Sequence, residues 1–173
     1  MAKQIWVNIR EARLLDQAIT KNSFRYLTLD EHKLVDKAYK AMKDSEMYNA
    51  IWKQIEDYAA DLVQKKCIPE WNRISEEMKT LWEEANKLSK EKAAVPEDWV
   101  WETEKEERLT ELNKKIAELN TTYQDVTDKA NAELNEFKEK IINETKWACF
   151  LLDEKCYKFV GELVWRVLPE ENK

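Results

Sequence analysis

The sequence predicts an all-α protein: a long antiparallel, coiled-coil-like helical hairpin on a small helical base formed by both chain ends. Three observations predict it. A single glycine, Gly161, and three prolines among 173 residues leave too few turn formers for an α/β or all-β fold. Apolar residues recur at three- and four-residue spacing over two long stretches, the period of a helix face. The stretches also mirror one another about Pro96–Trp99. If the chain folds back there, facing residue numbers sum to 197, which pairs Leu88 with Leu109, Leu81 with Ile116, Ile74 with Tyr123 and Leu34 with Leu163. A compact three- to five-helix bundle, reversing at Pro69 or near Asn143, is the competing architecture.

Each element has its own signal. Ile5, Val7 and Ile9 alternate as in a strand, but Ala12, Leu15 and Ile19 continue at helical spacing. Residues 4–20 therefore read as helix and 20–27 as a connector, and 1–27 form the N-terminal base segment. Thr28 and Glu31 have capping-box spacing, with Thr28 covering the first free amides and Glu31 reaching back. They open a first arm over 28–94, striped by Leu34, Ala38, Ala41, Tyr48, Trp52, Ile55 and Leu62, then by Trp71, Ile74, Met78, Leu81 and Leu88. Asp44 with Ser45 is a candidate break, and Pro69 a candidate kink or reversal. Residues 95–102 form a tip loop. Thr103 and Glu106 repeat the capping box and open a second arm over 103–168, read as one helix because nothing breaks it decisively before Pro169. After Trp147 the apolar stripe widens beyond what two helices cover, so residues 1–27 must pack on it. The whole chain reads as one domain, 1–173.

Charge narrows the function classes. The net charge of −6 and pI of about 5.1 have the wrong sign for direct nucleic-acid or anionic-membrane binding. The imbalance is uneven: 17 basic and 16 acidic residues over 1–93, against 12 and 19 over 94–173. Arg10, Glu11, Arg13 and Asp16 interrupt any secretory leader, and the charges between Trp147 and Leu168 argue against a membrane span. Three cysteines without metal-site spacing read as reduced thiols, so a cytoplasmic location is expected.

The catalytic inventory is thin. His32, the only histidine, follows two acids in the first turn of a predicted helix and reads as a solvated surface residue. No histidine-based triad, zinc site or di-iron motif can be assembled around it in one chain. Cys67 and Cys156 fall in the stripes and read as core. No catalytic, cofactor or metal residue is nominated.

Candidate contact residues lie in two places. At the tip, Trp99 and Trp101 stand among Glu97, Asp98 and Glu102. There they either cap the hydrophobic seam or dock into an apolar groove with a basic rim, tryptophan being a frequent interface anchor. The second place is the broad face around Trp147, Phe150 and Trp165. The expected function is non-enzymatic: a protein-interaction or structural component that binds another protein or a second copy of itself. By analogy of shape alone it suits a virion, phage or other assembly. One rival is an acidic inhibitor or decoy that occupies a nucleic-acid-binding surface. Another is an enzyme whose site forms only on oligomerisation.

Overall fold

A computed structural model describes residues 2–21, 26–144 and 148–167. In chain order the elements are β1 (Gln4–Asn8), α1 (Ile9–Thr20), α2 (Leu29–Lys43), α3 (Glu46–Leu62), a π-helical turn (Val63–Cys67), α4 (Ile68–Ala93), α5 (Thr103–Glu144), β2 (Ala148–Asp153) and α6 (Glu154–Val167). The fold is all-α as predicted, with one small two-stranded sheet. The chain divides into two compact units, Met1–Asp57 with Glu136–Lys173, and Tyr58–Asn135.

In the first unit, β1 and β2 pair antiparallel, from Gln4 opposite Asp153 to Asn8 opposite Ala148. The two chain ends thus pack together as the broad apolar stripe requires. Two sequence expectations are corrected here. Residues 4–20 are not one helix, because Asn8 ends a strand and caps the helix after it. Its side chain accepts from the Glu11 amide at 2.9 Å, and Glu11 accepts from the Asn8 amide at 3.0 Å. This capping box starts α1 at Ile9. The second arm is likewise not one helix over 103–168. It stops at Glu144, β2 intervenes, and Asp153 caps α6 by accepting from the Cys156 amide at 2.9 Å. A β-then-capped-α step therefore occurs at each end of the chain.

The pairing slips by one residue between Val7 and Asn8, which face Phe150 and Ala148. Cys149 is the extra residue of a bulge, so Cys149, Phe150 and Leu152 are all buried, while Trp6 and Leu151 point outward as a cross-strand pair. Ser45 serves the bulge. Its hydroxyl donates to the Cys149 carbonyl at 2.6 Å and accepts from the Tyr48 amide at 3.1 Å, which caps α3. Asp44–Ser45 is thus a real break between α2 and α3. Helices α1, α2 and α6 pack against the sheet around a core of Val7, Ile9, Leu15, Met42, Leu152 and Leu163. Lys37 pairs with Asp153, and Arg13 with Glu139 at 2.7 Å. His32 is half-buried rather than fully solvated.

In the second unit, α4 and α5 run antiparallel. Lys92 meets Glu106 at 2.6 Å, Arg108 meets Glu84 at 2.7 Å, Trp71 stacks on Tyr123 at 5.5 Å, and Lys66 meets Glu133 at 2.6 Å. These pairs fall on both sides of the 197 register. The seam is narrow: Leu62, Cys67, Ile74, Ala85 and Leu112 are its buried members. Leu62 and Cys67 are five residues apart, one more than an α-turn delivers to the same face. The π-helical turn absorbs the extra residue, the Ile68 amide donating to the Val63 carbonyl. Pro69 follows in the first turn of α4, a place that tolerates its missing N–H. The chain passes it without reversing.

Candidate functional site

The α4–α5 loop is built from turn and cap bonds. The Ala94 amide donates to the carbonyls of Lys90 and Glu91, and that of Val95 to Lys92, all at 3.2 Å. Pro96 then stops the helix, because a proline disfavours helical geometry in the residue before it. The Trp99 amide donates to the Pro96 carbonyl at 2.9 Å, closing a turn, and the Glu102 carbonyl accepts from the amides of Lys105 and Glu106 at 3.1 Å. Glu102, rather than Thr103, is therefore the residue that opens α5.

This scaffold separates the two tryptophans. Trp101 is half-buried: the Lys105 ammonium lies 5.5 Å above its ring, a cation–π contact. Lys105 also meets Glu102 at 3.4 Å and Glu91 at 3.5 Å. The Glu102 carboxylate, helped by Glu91, holds the Lys105 ammonium above its ordinary pKa. The indole N–H of Trp101 is buried without a hydrogen-bond partner, an arrangement that costs about 1–3 kcal/mol. Trp99 is 73% exposed and Val100 92% exposed. Glu97 and Asp98 are exposed beside them. The loop thus presents an indole and an isopropyl group to solvent, bordered by Glu97, Asp98 and Glu102.

The second set of candidates separates. Phe150 is only 6% exposed, because the bulge turns it into the core opposite Val7, and it offers no partner a surface. Trp165 is 65% exposed on α6. Trp147 lies outside the described residues.

Sequence reasoning passed over Val100, which is more exposed than either neighbouring tryptophan. The available signal was its place between two tryptophans in a loop, with no seam partner in the 197 register. It also passed over Trp6 and Leu151, whose outward pairing follows only from strand register. Among the described residues, no group of three or more His, Cys, Asp or Glu side chains is arranged to hold a metal ion. Among them, too, no helix is long and apolar enough to cross a membrane. No family model, curated protein or solved structure matches this chain.

Proposed function

We propose that this chain is a non-enzymatic protein-binding component whose contact surface is the α4–α5 loop. One observation carries the reading: Trp99 and Val100 are exposed side by side in a loop fixed at both ends by helix caps. An exposed large apolar pair costs free energy in water, roughly 25 cal/mol per Å², and docking into an apolar pocket removes that cost. Glu97, Asp98 and Glu102 fit a basic rim around that pocket, which favours fast, salt-sensitive association.

The test compares the proteins retained from a native-host extract by immobilised wild type and by a Trp99→Ala/Val100→Ala variant, quantified by mass spectrometry. The variant should keep its melting temperature and lose specific partners. A Glu97→Lys/Asp98→Lys/Glu102→Lys variant should lose the same partners, most strongly at low salt. Identical sets retained by all three proteins would refute the reading.

A further inference from the structure

We propose that the pocket between α1, the sheet and α6 binds a small amphipathic cation, an apolar chain ending in one ammonium group. The pocket has a volume of ≈ 330 Å³, at the lower end of the range of about 300–1,000 Å³ for small-molecule sites. Its walls are apolar: Val7, Leu14, Leu152, Val160, Val164 and Trp165. Such a lining accepts an alkyl or aryl body and leaves selection to the few polar groups that reach it.

Those groups favour a positive charge. Lys158 and Glu162 line the pocket, but each has an opposite charge on its own helix, Glu154 at 2.8 Å and Arg166 at 3.6 Å. Glu11 is different. One carboxylate oxygen accepts from the Tyr157 hydroxyl at 2.7 Å and the other from the Asn8 amide at 3.0 Å. Both donors are neutral, and no cation pairs with Glu11 among the described residues. A carboxylate offers about four lone-pair positions, so two remain for a ligand. A half-buried carboxylate in an apolar wall attracts an ammonium group and repels a second carboxylate.

Gly161 lines the pocket without a side chain. It is the chain's only glycine and lines this pocket from inside α6. A Cβ built there would meet nothing within 4 Å, so packing within the chain does not require glycine. Glycine inside a helix weakens it relative to alanine. No side chain from this position narrows the pocket.

The same residue supplies the probe. With one glycine in the chain, the Gly161 amide is the only glycine signal in a ¹H–¹⁵N spectrum. Titration at pH 7 with n-octylamine should move it saturably, with an affinity about tenfold above that of octanoate, as a charge-assisted hydrogen bond supplies, and 1-octanol between the two. Glu11→Gln keeps the capping box, which accepts glutamine. It should erase most of the advantage of octylamine over 1-octanol while leaving 1-octanol affinity unchanged. Gly161→Leu, followed by saturation transfer to the ligand, should abolish binding of all three with helicity intact. The proposal is overturned if octanoate binds as tightly as octylamine, or if none of the three moves Gly161.

Discussion

Replacing Gly161 by alanine should stabilise the protein, and the structure fixes the size of the effect. Position 161 is interior to α6 (Glu154–Val167) and solvent-exposed. A Cβ there would meet no heavy atom within 4 Å, and the backbone is not in the left-handed region. The methyl group therefore adds neither clash nor appreciable burial, and only the backbone difference between the two residues remains. Alanine is favoured over glycine in a helix interior by about 0.8–1 kcal/mol, because glycine has more unfolded-state freedom to lose. For a chain of this size, 1 kcal/mol moves Tm by about 2–4 °C. A thermal melt followed by far-UV circular dichroism, paired with a urea titration, measures it. The variant should melt about 2–4 °C higher with an unchanged denaturant slope. A melting temperature at or below that of wild type would refute the reasoning, since it would mean that the glycine answers a steric or backbone demand of the native fold.

Three further predictions rest on the same unit. Ser45→Ala removes an N-cap, worth about 1 kcal/mol, and the hydrogen bond to the Cys149 carbonyl, worth about 0.5–1.5 kcal/mol. Urea unfolding should show a loss of about 1.5–2.5 kcal/mol, and a loss under 0.5 kcal/mol would dismiss the Ser45 link. The Lys37 ammonium, and after it the Cys156 amide, hold the Asp153 carboxyl below its usual pKa. A carboxyl lowered on folding stabilises above its unfolded value near 4, and that contribution disappears as pH falls through the folded value. Asp153→Asn should accordingly be less stable at pH 7 and lose less stability on acidification than wild type; parallel pH–stability curves would refute this. Burial pushes the thiols of Cys149 and Cys156 up to about 11. A disulfide reagent at pH 8 should modify them only on unfolding, and rapid labelling of the folded protein at either site would contradict the packing.

Helices were legible wherever neighbours in sequence decide the structure. The Thr28–Glu31 box, the break at Asp44–Ser45 and the turn after Pro96 each depend on a few consecutive residues, and each stands where the pattern put it. The first strand showed only as the alternation of Ile5, Val7 and Ile9 and the second not at all, because their cause is remote. A two-stranded sheet gains its stability from packing against other elements rather than from its own hydrogen bonds, and here the two strands lie more than 130 residues apart. Two local signals were nonetheless available. Asn8 with Glu11 has capping-box form, and Asp153 stands three residues before Cys156 at the end of an apolar run. Either could have ended a strand and begun a helix. The spacing of five between Leu62 and Cys67 likewise marked a departure from α-geometry that Pro69, the more conspicuous residue, obscured.

The candidate sites divide along the same line. The α4–α5 loop could be found from sequence because its exposed residues, acids and caps all lie within about a dozen positions. Phe150 was misassigned because its direction depends on one extra residue in a ladder whose other strand begins at Gln4. The α6 pocket was invisible for a stronger reason, since its walls come from β1, α1, β2 and α6. Gly161 was visible from the start, but only as a number that excluded other folds. Its position acquires meaning once the space beside it is known to be open. A helix-weakening residue that packing does not require, lining an apolar pocket beside a carboxylate whose partners among the described residues are all neutral, is better explained by what that pocket admits than by the stability of the helix that carries it.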